Sequence, residues 1–234
     1  MTVLSRRPKS FRERPTVMRQ STLLMPAELH AYMMAHSAGP DAVQERLAER
    51  TKEFADVAHW QTAPEQSPFL TLLVQTLGVQ NAVEVGTFTG MSALAIARGL
   101  RPGGKLLCCD VDDTWTPLAR EAWQAAGVED RIELRIAPAI ETLRALPNTA
   151  QVDFSFVDAE KTGYWDYFGE LVVRTRPGGL LVFDNVFRKG RVLNPSSEVD
   201  EAIVDFNDRL AKDDRVDVVM LPIADGMTVA RRRP

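Results

Sequence analysis

The chain has 234 residues, of which 45% are hydrophobic and 26% charged, and its formal net charge is -4. That length accommodates one large α/β domain with a substantial core, and a second full domain is not expected. Acids and bases are mixed along most of the chain, which excludes the basic footprint of a nucleic-acid binder, and no stretch is long enough to span a bilayer.

The N-terminus carries Arg6, Arg7, Lys9, Arg12, Arg14 and Arg19 with no apolar signal-peptide core behind them, so residues 1–20 read as a flexible basic arm on a cytoplasmic enzyme. A helical extension over 21–60 follows, with stretches from Pro26 to Ser37 and from Asp41 to Trp60, the second opening at the Asp41 cap. From Asn81 onward short apolar runs alternate with amphipathic helical segments, as in βα units that build a mostly parallel sheet. The predicted strands are Ala82–Val85, Lys105–Asp110, Ile132–Ala137, Val152–Val157, Leu180–Phe183, Val216–Leu221 and Met227–Ala230. Only Pro222–Gly226 separates the last two, too little for a parallel crossover, so they pair as an antiparallel hairpin. Arg101–Gly104 and Arg176–Gly179, both Arg-Pro-Gly-Gly, read as duplicated helix-to-strand turns. Cys108 and Cys109 are the only cysteines; strand alternation sends them to opposite faces as buried free thiols, which suits a reducing compartment and leaves no zinc site or disulfide framework.

Ligands of open α/β sheets bind outside the carboxyl ends of the strands. The first strand ends in Glu84-Val-Gly-Thr-Phe-Thr-Gly90, and Ser92 opens the next helix. Gly86 and Gly90 let the chain turn and a ligand approach, but Phe88 stands where a dinucleotide fold needs bare backbone against a pyrophosphate, which disfavours NAD. Asp110, ending the second strand, suits a pair of ribose hydroxyls. The combination fits a cofactor with an adenosine end and an amino-acid end but no phosphate, its carboxylate received by Ser92 and the helix N-terminus.

The fourth strand ends Val157-Asp-Ala-Glu-Lys161 and the fifth ends Asp184-Asn185, so that Asp158, Asp184 and Asn185 would bring three oxygen ligands to one edge of the sheet. With Pro64-Glu-Gln66, Phe69-Leu70, Glu84 to Ser92, Cys109-Asp110 and Leu221 to Gly226, these motifs make residues from about Gln61 to Arg231 resemble the cation-dependent O-methyltransferases of the caffeoyl-CoA and catechol type. The resemblance implies a Rossmann-like class I methyltransferase fold over 61–234: a seven-stranded, mostly parallel sheet with an antiparallel last strand and helices on both faces. It implies S-adenosylmethionine as cofactor, contacted by Thr62, Glu84, Gly86, Phe88, Ser92, Asp110, Ala139 and Asp158. It further implies a divalent metal, magnesium by default for oxygen ligands, on Asp158, Asp184 and Asn185, with Lys161 as the base beside Asp158 that removes a phenolic proton. A homodimer, with the N-terminal helices at its interface or over the acceptor, belongs to the same expectation.

The chain departs from the family pattern at Trp60, Glu160 and Arg188. Trp60, Phe187, Arg188, Lys189 and Arg191 point either to a reshaped pocket for a catechol-type acceptor bearing a carboxylate or phosphate, or to a solvated basic loop. His30, His36 and His59 have no metal-binding spacing and read as surface or packing residues. Trp123, Trp165 and Tyr164 read as core, while Trp115 is kept as an adenine-side candidate. Three rivals stay open: a metal-independent N- or carboxyl-methyltransferase of the same fold, a non-catalytic cofactor-binding subunit, and an NAD dehydrogenase. A hydrolase lacks its Gly-x-Ser-x-Gly nucleophile.

Overall fold

The computed structural model describes residues 25–234, so the basic side chains from Arg6 to Arg19 lie outside the described residues. Five parallel strands come first: β1 (Asn81–Val85), β2 (Lys105–Asp110), β3 (Ile132–Ile136), β4 (Val152–Val157) and β5 (Thr175–Asp184). The hairpin expected at the end of the chain is present as β6 (Val216–Leu221) and β7 (Met227–Arg232), with β7 antiparallel to both β5 and β6. The seven strands are ordered β3-β2-β1-β4-β5-β7-β6. The chain therefore runs outward from β1 to β3 and then returns to lay β4 on the other side of β1. Such a reversal leaves a crevice between the two carboxyl ends, here those of β1 and β4.

Helices cover both faces. On one side α2 (Ala42–Thr51), α3 (Gln66–Leu77), α4 (Met91–Gly99) and α5 (Thr116–Ala125) pack with Cys108, Phe154, Phe156 and Val182. On the other, α6 (Ala139–Ala145), α7 (Tyr164–Arg174) and α8 (Glu198–Leu210) pack with Cys109, Val157, Leu181 and Phe183. The two cysteines are buried, free and on opposite faces, as strand alternation requires. Among the described residues no helix is long and apolar enough to cross a membrane.

One local reading is corrected. The helix expected from Asp41 to Trp60 ends at Thr51 and gives way to short 3-10 turns at Lys52–Phe54 and Ala58–Trp60. Tertiary contacts account for the break: Thr51 Oγ1 lies 3.1 Å from Thr89 Oγ1 and accepts from Gln61 Nε2 at 2.8 Å, pinning the chain to the β1–α4 loop. The two Arg-Pro-Gly-Gly segments share one turn, with Gly103 at φ +77° and Gly178 at φ +79°. Arg101–Gly104 closes with Gly104 N donating to Arg101 O at 2.8 Å, and Arg176–Gly179, of the same form, lies within β5 as an irregularity against β4. Asp153 braces the second. Its carboxylate takes Arg176 Nε and accepts from Gln80 N and Asn81 N, each at 2.8 Å, so β1, β4 and β5 are stapled at one acid. Burial opposes its ionisation, but those donors and the Arg176 charge hold the carboxyl below its ordinary range.

Preceding these elements, α1 (Ala27–Ala35) buries no residue and leaves Leu29 and Tyr32 exposed. His36 and His59 are exposed, and His30 Nε2 lies 3.5 Å from Glu65.

Candidate active site

The loop leaving β1 is shaped by its neighbours. Gly86 has φ +90°, and a Cβ there would stand 2.2 Å from the Asp158 carbonyl oxygen, because the tips of β1 and β4 meet at this point. Gly86 N donates to Cys109 O at 2.9 Å, and Asp158 N donates to Val85 O at 2.8 Å. Gly90, at φ +82°, starts α4 against Ala119 and accepts on its carbonyl from Trp123 Nε1 at 3.1 Å. Both glycines thus have a packing reason in addition to any ligand.

Asp110, expected to meet ribose hydroxyls, is occupied in another way. Its Oδ2 accepts from Thr87 N (2.9 Å) and Phe88 N (2.8 Å), and its Oδ1 from Val111 N (2.7 Å) and Asp112 N (3.1 Å). A carboxylate offers about four lone-pair sites, so the glycine loop and the β2–α5 loop already claim them all. Asp110 is first the organiser of the loop; a ribose would have to share or displace one of these N–H groups.

The other expected cofactor contacts surround the same tips. Ser92 is buried in the first turn of α4, Ala139 is buried at the start of α6, and Thr62 is half-buried in the segment before α3. Glu84 is fully buried beneath the loop; Ser92, Cys108 and Thr87 stand beside it, but no donor reaches hydrogen-bonding geometry with either carboxylate oxygen. Burial pushes its carboxyl up to about 8, so it is held neutral near pH 7. Above the loop Phe88, itself at φ +50°, lies 5.8 Å from Trp60 and 5.7 Å from Trp115, and Phe54 caps Trp115 at 4.8 Å. Segments remote in sequence thereby form one aromatic wall.

Across the crevice the acids and the lysine come together. Lys161 Nζ donates to Asp158 Oδ1 and to the Tyr164 hydroxyl, each at 2.8 Å. Asp184 is buried at the tip of β5 and accepts from Asn185 N at 2.8 Å, and Asn185 turns the chain at φ +55°. Burial first, and then the charge of Asp158, push the Asp184 carboxyl above its ordinary range, against the amide of Gln66, the backbone of Asn185 and the charge of Lys161, which favour the ionised form. Two mutually repelling carboxylates at the sheet edge, with Lys161 bonded to one of them, fit a dication, which would add countercharge and find a neutral third oxygen in Asn185. Among the described residues no three His, Cys, Asp or Glu side chains gather as a ligand group; the expected set depends on the Asn185 amide.

The basic loop has an internal partner. Arg188 Nε (3.3 Å) and Arg191 Nε (3.0 Å) both donate to Asp200, which is buried in α8. Burial works against that carboxyl, yet Arg191, Ser197 and Arg188 bring it down to about 2. Lys189 N donates to Asp225 Oδ1 at 2.5 Å, and Phe187 packs where Gly226 leaves room. Arg188 and Arg191 each spend one N–H on Asp200 and so hold the loop, and the Arg191 side chain stays 43% exposed.

Two polar groups escaped the sequence reading. Tyr164, assigned to the core by its aromatic type, is indeed fully buried, but its hydroxyl touches Lys161 and both strand tips. Gln66 is buried beside Asp184, and its Oε1 accepts from Ala63 N at 2.7 Å. The signal for Tyr164 was its place three residues after Lys161, one helical turn away; Gln66 carried only the Pro64-Glu-Gln66 landmark.

Comparison with known proteins agrees with the geometry. A family model described as O-methyltransferase matches residues 34–233. "Probable caffeoyl-CoA O-methyltransferase 1" of Dictyostelium discoideum is 37% identical over 207 residues, covering 86% of this chain and 90% of its own. "Catechol O-methyltransferase domain-containing protein 1" of Mus musculus is 33% identical, covering 91% and 83%. The solved O-methyltransferase of Bacillus cereus, in complex with SAH, superposes with a TM-score of 0.80 at 28% identity over 88% of this chain and 97% of that one. The crevice between β1 and β4, the sheet order and these likenesses together make this chain a member of the class I S-adenosylmethionine-dependent O-methyltransferases of the caffeoyl-CoA and catechol type.

Proposed function

We propose that the enzyme methylates one hydroxyl of an ortho-dihydroxy aromatic small molecule, with a divalent cation, magnesium by default, held by Asp158, Asp184 and Asn185. The observation that carries this reading is the buried Asp184 carboxylate facing Asp158 with Lys161 Nζ 2.8 Å from Asp158. A phenol with an ordinary pKa of about 10 is a poor nucleophile at neutral pH, and a dication chelated by both neighbouring oxygens would favour the phenolate. Lys161 receives the proton at Nζ. A base acts only within hydrogen-bond reach of that proton, and Asp158 and the Tyr164 hydroxyl hold Nζ in place at 2.8 Å each. The acceptor oxygen then bonds to the methyl carbon as the carbon–sulfur bond breaks, and the chain's main contribution is to align the two reactants and exclude water.

Thr62, Glu84, Gly86, Phe88, Ser92, Asp110, Ala139 and Asp158 contact the cofactor in this reading, with Asp110 on the ribose hydroxyls as well as on the loop. Phe88 and Trp60 offer aromatic faces at the mouth. The apolar helix α1, which buries nothing of its own, supports a homodimer in which a second copy covers Leu29 and Tyr32. The two buried free thiols support a cytoplasmic setting.

The test is a screen of catechols with and without a carboxylate, read by product mass, in magnesium and in excess EDTA. Magnesium-dependent monomethylation is the expected result. Equal turnover in EDTA would instead favour the metal-independent rival.

A further inference from the structure

We infer that the Tyr164 hydroxyl is a positioning group for methyl transfer, fixing the direction of the free valence on Lys161 Nζ and the spacing of the two strand tips that carry Asp158, Asp184 and Asn185. This rests on the proposed role of Lys161 and deepens it.

The ring of Tyr164 is fully buried, 5.8 Å from Phe183 and 5.4 Å from Phe206, and a phenylalanine would fill that space as well. The hydroxyl is a separate matter, because burying one is costly unless it is bonded. It accepts from Lys161 Nζ at 2.8 Å and lies 3.1 Å from Val157 O and 3.0 Å from Asp184 O. Its single proton serves one of those carbonyls at a time. Val157 immediately precedes Asp158, and Asp184 immediately precedes Asn185, so one oxygen ties together the base and both ligand-bearing tips.

The lysine nitrogen is tetrahedral. One position is its own Cε, a second points to Tyr164 and a third to Asp158 Oδ1. One direction remains, occupied by a third N–H in the ammonium and by the lone pair in the amine. Tyr164 and Asp158 together choose where that lone pair points, and a base is effective only when it points at the proton it removes.

Tyr164→Phe removes the oxygen and keeps the ring. The expected result is a fall of about 10²-fold in kcat, with KM and calorimetric affinity for S-adenosylmethionine unchanged. Weaker magnesium binding in the absence of acceptor is also expected, since the tips lose their tie. In a Lys161→Ala background the same substitution should cost almost nothing further in kcat. Wild-type kcat and magnesium affinity in folded Tyr164→Phe would overturn the inference, as would a loss confined to KM for the cofactor. Full turnover by Lys161→Ala alone would instead sink the base assignment, while magnesium affinity in Tyr164→Phe would still judge the tie between the tips. If Tyr164→Phe does not fold, 3-fluorotyrosine at 164 keeps the shape and weakens the acceptor; a smaller fall in kcat supports the inference and none overturns it.

Discussion

On the β1–β2 side of the crevice a carboxylate is saturated; on the β4–β5 side another is starved. Asp110 meets four backbone N–H groups, while the Asp184 carboxylate is buried near Asp158 with one hydrogen bond, from Asn185 N, and the Gln66 amide and Lys161 charge nearby. The first arrangement makes a stiff loop for a ligand to lie on. The second stores unbalanced charge, tolerable in a fold only where something else completes it. Shape on one flank and chemistry on the other is the division expected of an enzyme whose cofactor carries the reactive group and whose acceptor must be activated.

If that contrast is right, Asp184→Ala has the largest effect. Magnesium-stimulated turnover should fall by at least about 10²-fold, while calorimetric affinity for S-adenosylmethionine stays near wild type; loss of both would place Asp184 on the shape side. Gly86→Ala strikes the seam between the flanks, where a Cβ meets Asp158 O at 2.2 Å under a positive φ. It should cost roughly 3 kcal/mol and impair cofactor and magnesium binding together, measured by denaturant midpoint and calorimetry. Asp110→Ala orphans the loop N–H groups and should destabilise by about 1–3 kcal/mol. Cofactor affinity should weaken and magnesium affinity should not; the reverse pattern would undo the division.

Glu84 gives a pH signature. Its folded carboxyl is raised to about 8, so the native state holds a proton that the unfolded chain has released. Its cost to stability is absent below the ordinary glutamate range and grows as pH rises toward about 8. Glu84→Gln should therefore gain on wild type in thermal melts run from pH 5 to pH 8, and a constant difference across that range would contradict the buried neutral carboxyl. The smallest effect should be Arg191→Ala. With Arg188 still on Asp200, relative turnover of carboxylated and neutral catechols should change by less than about threefold, and a larger selective loss would favour the anion-hook reading.

Strand positions and the closing hairpin were readable because apolar runs and Pro222–Gly226 are local signals. The acids at the β4 and β5 tips were readable because Asp-Ala-Glu-Lys and Asp-Asn are dense and follow buried strands. What escaped was decided at a distance. Nothing in Arg176–Gly179 announces its partner on another strand, Asp153. Nor does Arg188 or Arg191 announce a partner in α8.

By itself the order of residues determined the alternation of elements, the direction of the last strand and which chemical groups stand at the strand ends, because period, turn length and residue type act over a few positions. Only the tertiary structure decided which groups are already satisfied and which remain open to chemistry. Asp110 and Asp184 are the same side chain at equivalent strand ends. The number of donors the fold brings to each is set by loops far away in the chain, and that number separates a scaffold from a reactive edge.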